Sequence, residues 1–474
     1  MDPPEKSSRP FDLAAEPLEE ALGRASALCV EIFRRLEERP VRPPVDRAAL
    51  ERALRDSLPD QGVGLLAALD DFARLILPAS MGIPHPLYLG LVNSSPLPGP
   101  VLADLLISAL NNNGGAFEQS PALTACEDEV VRQLARRFGW PDDSEGLFLP
   151  GGSFANLQAL VLAREQACPG GGIDAGLRLY TAESAHFSVT RAARIAGFGP
   201  AQVVALPGRG RGELDMAALA ARLDADRRAG LRPTAVVVTI GTTGTGALDD
   251  VAAAAELCRH HGSWLHVDAC YGGAAVLLPE LAARFAGVAQ ADSIAVDPHK
   301  WFFVPVTAAA LLTRHRALAL SAFSARASSY VPRAGAPDAW ERGMPTTRRA
   351  SGFAVWMALR AHGWDSIRQA VARNIALTRR LEGRLAAAGF RVLPAGELSI
   401  ACARWEPPGR SPAALDGLQT TIAERVIATG QAWFSTVEHQ GLRWLRFNLV
   451  NLHTRVEHMD RLAALLADTA QAAT

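Results

Sequence analysis

"TAVVVTIGTTGTGALDDVAAAAELCRHHGSWLHVDA", residues 234–269, decides the fold class. Its first eight residues are an apolar, β-branched run, short for a helix and suited to a buried strand. "VAAAAELCRHHG" then reads as a helix, with Asp250 placed as its N-cap and Gly262 just past its end. "SWLHVDA" is a second apolar strand. Strand, helix and strand in that order predict a mainly parallel sheet with helices on both faces.

The same alternation extends in both directions. Strands are predicted at "GLFL", "LRLYTAE", "AQVVAL", "DSIAVD" and "AAALLT", giving seven with the two above. Helices are predicted at "ANLQALVLAREQA", "SVTRAARIAG" and "DMAALAARLDADRRAG". Upstream, residues 1–12 are expected to be disordered, a helix to run from Leu13 to about Arg39, and "RAALERALRDSL" to form a short second one. "MGIPHPLYLGLVNSSPLPGP" is too rich in Pro and Gly to be regular, and two helical runs follow it, "VLADLLISALNN" and "ALTACEDEVVRQLARRFG". A polar segment at 324–349 interrupts the pattern, and loops of that size tend to be functional or disordered. Beyond it lie a helical region at 352–388 and a small α+β tail. The expected organisation is an N-terminal helical segment (1–84), a large domain (85–360) and a small C-terminal domain (361–474).

Totals narrow the class. In 474 residues 49% are hydrophobic, enough for a large core, and the net charge of −1 gives no reason to expect a nucleic-acid or membrane partner. Six cysteines without CxxC spacing read as reduced thiols of a cytoplasmic protein. There is neither a signal-peptide pattern nor a run long enough to span a membrane.

Three strand ends carry unusual groups, and ligands of open α/β sheets bind at such ends. "LPGGSFANL" places Gly151, Gly152 and Ser153 where a helix begins, either a tight capped turn or an anion cradle. "HVDACYGG" puts His266 and Asp268 on one face of a strand. A carboxylate there needs a partner, whether an arginine, a metal or a cationic cofactor nitrogen, and no metal-ligand spacing accompanies it. Lys300, in "DPHKWFF", is one of only two lysines against 46 arginines. It is either a snorkelling surface residue or an amine kept for its nucleophilicity, its pKa lowered by a nearby cation or by apolar burial. An anion cradle, an acid for a pyridinium nitrogen and a Schiff-base lysine together are what pyridoxal 5′-phosphate (PLP) requires.

With "HPLYLG", "EQSPALTACE", "GGSFANL", "SAHFSVTRAA", "TIGTTGTGALDD", "WLHVDACYGG" and "DSIAVDPHKW" in order, the chain resembles the PLP-dependent decarboxylases that act on aromatic amino acids, glutamate and cysteine sulfinate. The resemblance implies fold-type I, a homodimer with shared active sites, and decarboxylation of an L-amino acid to an amine. It further implies that Lys300 carries the cofactor, Asp268 holds its ring nitrogen protonated and His186 stacks on the ring. Gly152 and Ser153 would meet the phosphate, with His299 nearby and Thr243 beside the ring. Tyr330 would protonate the substrate α-carbon, and His85, Asn113 and Arg446 would be substrate residues. Departures are Asn113, Gly114 and Gly115 before "FEQSP", closer to glutamate-type members and favouring a polar substrate, and Cys270 where alanine is usual. Two alternatives keep the scaffold. One is aldehyde-forming oxidative deamination or carbon–carbon cleavage with the same cofactor, and the other is a non-catalytic PLP-binding protein.

Overall fold

A computed structural model describes residues 17–55, 57–324 and 335–474. Residues 1–12, the start of the first expected helix and Tyr330 lie outside them.

All seven predicted strands form one sheet: β1 (Glu145–Leu149), β2 (Leu177–Ala182), β3 (Val203–Leu206), β4 (Arg232–Thr239), β5 (Trp264–Asp268), β6 (Ser293–Val296) and β7 (Ala309–Thr313). Their order is β1-β7-β6-β5-β4-β2-β3, with β7 antiparallel to both neighbours and the other pairings parallel. Side chains of β4 show why its sequence is apolar without alternation. Val236 and Val238 enter one core cluster while Ala235 and Val237 enter another, so both faces are covered.

Helices cover the two faces. In chain order the helices include α1 (Leu18–Arg34), α2 (Arg47–Leu54), α3 (Pro98–Leu110), α4 (Pro121–Arg137), α5 (Gly152–Ala167), α6 (Phe187–Ile195), α7 (Met216–Arg228) and α8 (Val251–His261), of which α4, α5, α7 and α8 pack on the sheet. In α8 the Asp250 carboxylate accepts the Ala253 N–H at 3.0 Å, and Gly262 takes a left-handed conformation (φ 67°) at the C-terminus, as its sequence predicted. A long helix, α9 (Gly352–Ala387), is broken at Gly363 (φ 74°, ψ 167°). Its second half packs against a four-stranded antiparallel sheet of β8 (Arg391–Val392), β9 (Ile400–Arg404), β10 (Ser435–His439) and β11 (Leu442–Asn448), ordered β8-β9-β11-β10. Helices α10 (Pro412–Ala428) and α11 (Val456–Ala472) complete this second core. Leu87 and Leu89 also join it, exchanging backbone hydrogen bonds with Trp433 at 3.0 and 2.7 Å.

Part of the polar segment 324–349 has regular structure. Residues Ala339–Arg342 form a short helix capped by Asp338, whose carboxylate also accepts the Phe117 N–H at 2.7 Å. No described helix is long and apolar enough to cross a membrane.

Candidate active site

The C-terminal ends of β1, β5 and β6 deliver their unusual groups to one cavity of about 410 Å³. Lys300, Asp268, His186, Gly152, Ser153, Thr243 and His299 all line it.

Lys300 stands on the short helix Pro298–Trp301 that follows β6, with its Nζ 2.9 Å from the Asp297 carboxylate. The neighbouring aromatic explains how this turn is held. Trp301 is fully buried, stacks on Tyr271 with centroids 5.2 Å apart, and donates from Nε1 to Asn374 at 3.0 Å. Burial alone would lower the lysine pKa, but Asp297, with Asp268 behind it, reverses this and holds the ammonium above its ordinary range. The expectation of a depressed lysine is therefore corrected: the closeness of Asp297 and Asp268 to the amine, which the sequence did not disclose, outweighs desolvation.

No arginine pairs with Asp268 among the described residues. Its oxygens accept from Asn156 Nδ2 (3.0 Å) and from the Cys270 N–H (3.1 Å). Burial pushes its pKa up, yet the Lys300 charge and these donors leave it below the ordinary carboxylate range. His186 caps α6, its Nδ1 meeting Ser188 Oγ at 2.7 Å, and burial lowers its pKa. His299 donates from Nδ1 to the Ala308 carbonyl (2.7 Å), which leaves Nε2 on the Asp297 side at 3.8 Å.

At the first corner α5 begins at Gly152, so the Gly151–Ser153 backbone opens the helix, as "LPGGSFANL" predicts. A Cβ at Gly152 would lie 2.5 Å from Cys270 Sγ and 2.7 Å from Asp297 Oδ2, while nothing stands within 4 Å of one at Gly151. An open helix N-terminus, a carboxylate without an arginine and a primary amine fit the phosphate, ring nitrogen and aldehyde of PLP. Replacing Gly152 with Ala is expected to destabilise the chain by about 1–3 kcal/mol through overpacking and to weaken PLP binding. A thermal midpoint and a PLP affinity both unchanged from wild type would contradict this account of the cradle.

Three sequence expectations fall elsewhere within one chain. His85 is buried against the small domain, its Nδ1 accepting the Leu87 N–H at 3.0 Å, and burial lowers its pKa to about 4. It does not line the cavity. The Asn113 side-chain oxygen accepts from the Gly115 and Arg348 backbones (2.9 and 3.1 Å), stapling its turn to residues 346–348. A Cβ at Gly115 would collide with the Thr346 carbonyl, so the glycine that looked like a specificity signal is required by packing. Arg446 on β11 also does not line the cavity, but it reaches the cavity rim. Its Nε donates to the Thr243 carbonyl at 2.8 Å and its Nη1 to the Gly90 carbonyl at 2.7 Å.

Sequence reasoning missed Asp297 and Asn156. Both sat inside quoted motifs, "DPHKW" and "GGSFANL", but nothing local signalled what they touch.

Residues 49–402 match the pyridoxal-dependent decarboxylase conserved domain. The chain belongs to this family. It is 31% identical to the L-2,4-diaminobutyrate decarboxylase of Rhizobium meliloti over 88% of this chain and 84% of that one. It is 29% identical to an aromatic-L-amino-acid decarboxylase of Bacillus atrophaeus over 95% of each. The crystal structure of Oryza sativa TDC with PLP and tryptamine superposes with a TM-score of 0.92 at 25% identity, covering 98% of this chain and 99% of that one. This pyridoxal-dependent decarboxylase is thus a fold-type I enzyme, a carboxy-lyase that uses PLP to decarboxylate an amino acid.

Beneath the decarboxylase cavity, His266 is fully buried with its pKa lowered to about 4, primarily by desolvation. Below pH 6.5 the unfolded chain protonates this residue while the folded one does not, until about pH 4. Its contribution is complete above pH 6.5 and is lost as pH falls through that window, about 3 kcal/mol in all. In His266→Asn the slope of unfolding free energy between pH 6 and 4.5 should be shallower than wild type by about 1 kcal/mol per pH unit. Equal slopes in urea titrations would refute the assignment.

Proposed function

We propose that Lys300 is the amine that carries PLP and that the product is an amine plus CO₂. The observation that carries this reading is the convergence of Lys300, Asp268 and the Gly151–Ser153 helix start on one cavity from three strand ends. When bound, PLP supplies the electron sink that accepts the pair left on the α-carbon as CO₂ departs. Asp268 keeps the ring nitrogen protonated, which stabilises charge as it develops. Gly152, Ser153 and His299 hold the phosphate, His186 stacks on the ring and Thr243 lies beside it. Asp297 holds the Lys300 amine in position.

Arg446 pairs with a substrate carboxylate. Support comes from its burial, its contact with Thr243, and an Nη2 without a hydrogen-bond partner among the described residues. The substrate is an L-amino acid; the polar preference expected from the "NNNGGAFEQSP" turn loses its support because that turn is held by packing. The two relatives named above, one acting on a diamino and one on an aromatic acid, define the range to screen. We further infer a cytoplasmic homodimer that completes each site across the interface. Helix α3 supports it by leaving Leu102, Leu105, Leu106 and Leu110 at least half exposed at the spacing of one face.

A screen of aromatic, acidic and diamino L-amino acids, following CO₂ together with amine, aldehyde, ammonia and peroxide, tests the reaction. CO₂ with equimolar amine supports the proposal, and aldehyde with ammonia would replace it with the oxidative alternative. Tyr330→Phe should move product from amine toward aldehyde. An unchanged ratio removes Tyr330 from the proton delivery inferred for it.

A further inference from the structure

Asn156 occupies the second turn of α5 and is 1% exposed. Asparagine favours neither helix interiors nor burial, so its amide must be fully used there. Its Nδ2 donates to Asp268 Oδ2 and to Ser188 Oγ, both at 3.0 Å, and its Oδ1 meets His266 Nε2 at 2.9 Å. One side chain thus joins the ends of α5, α6 and β5.

The polarity of each bond follows from the groups at the ends. Asp268 is ionised and can only accept, so the Asn156 amide nitrogen faces it and the amide oxygen faces His266. That oxygen can only accept, so His266 carries its proton on Nε2. His266 Nδ1 is then an acceptor for the Ser293 hydroxyl at 2.8 Å, whose oxygen in turn accepts from Trp264 Nε1 at 2.8 Å. On the other arm Ser188 Oγ accepts from Asn156 and meets His186 Nδ1 at 2.7 Å. The Ser188 backbone N–H points to the same nitrogen at 3.3 Å. The proton of His186 therefore sits on Nε2. Every bond from Trp264 to His186 is consistent with a single assignment, and Asn156 is the branch point.

We propose that Asn156 is a positioning residue that sets the proton pattern of the site, keeping Asp268 a free carboxylate and His186 and His266 as neutral Nε2–H tautomers. The proposal deepens the reading that Asp268 and His186 face the cofactor. With two neutral donors satisfying it, Asp268 has no proton to share and keeps its remaining lone pairs for the ring nitrogen.

Two variants of the full-length protein test this, Asn156→Leu and Asn156→Asp. Imidazole ¹⁵N spectra of the cofactor-free protein report the tautomers without relying on activity. In wild type both histidines should show the Nε2–H pattern. In Asn156→Leu His266 should lose it, its Nε2–H having no acceptor, while His186, still facing the Ser188 backbone N–H, should keep it. In Asn156→Asp an acceptor for His266 remains, while the oxygen replacing Nδ2 shares a proton with Asp268 and gives none to Ser188, whose hydroxyl turns toward it, so His266 should keep the pattern and only His186 should lose it. In the loaded enzyme kcat should fall about 10–100-fold with KM changed less than about threefold. If Asn156→Leu destroys the fold, the split between the two histidines in Asn156→Asp still decides. Unchanged tautomers in either folded variant, or an unchanged kcat, overturn the proposal. Failure of the cofactor reading is separable: in that case Asp268→Asn would bind PLP normally while the tautomer shifts still occurred.

Discussion

Lys300→Arg is expected to fold normally and to release CO₂ at a rate at least about 1000-fold below wild type. The physical separation is between charge and nucleophilicity. A guanidinium can still face Asp297, 2.9 Å from the present Nζ, so the ion pair survives. It cannot lose a proton at working pH to become a nucleophile. Reductive trapping of PLP-treated protein followed by peptide mass spectrometry should place the cofactor's mass on Lys300 in wild type and nowhere in the variant. Lys300→Ala behaves differently in the cofactor-free state. It leaves the Asp297 carboxylate buried without its cation, which should destabilise the fold by about 3–5 kcal/mol near neutral pH. An arginine variant retaining even a tenth of wild-type turnover, or trapped cofactor found on another residue, would end the assignment.

Asp268→Asn should lower kcat by about 100–1000-fold, the loss seen when one preorganised electrostatic group is removed. The isosteric change removes the negative charge facing Lys300 and the ring nitrogen. It also meets two donors, Asn156 Nδ2 and the Cys270 N–H, with only one oxygen. One donor is then left facing an NH₂ group, a penalty of about 1–3 kcal/mol in stability. Asp268→Glu keeps the charge but moves it, and should recover PLP affinity more than turnover. A kcat within about threefold of wild type for Asp268→Asn would show that the carboxylate is not the partner of the ring nitrogen.

The backbone plan was legible because it is written in local signals. Apolar strands of four to eight residues, an aspartate cap at 250 and a glycine at 262 each act within a few residues of themselves. Lys300, Asp268 and Gly152 were legible for a related reason. Each is chemically anomalous for its place in the chain, and strand ends share one edge of the sheet in this fold class.

Contacts between groups distant in sequence were decided by the tertiary structure alone. Asn156 lies 112 residues from Asp268 and 110 from His266, and neither separation leaves a trace in the chain. The sign of the Lys300 shift was misjudged for the same reason, since the competition between burial and Asp297 depends on distances that only folding creates. Asn113 and Gly115 show the converse: a pattern read as substrate recognition became, once folded, a staple to residues 346–348. A sequence declares what a residue is and what its immediate neighbours allow. Which groups share a proton or a charge is set by hydrogen bonds that vanish beyond a few ångströms and by Coulomb terms that weaken with distance, and the packed fold alone fixes those distances.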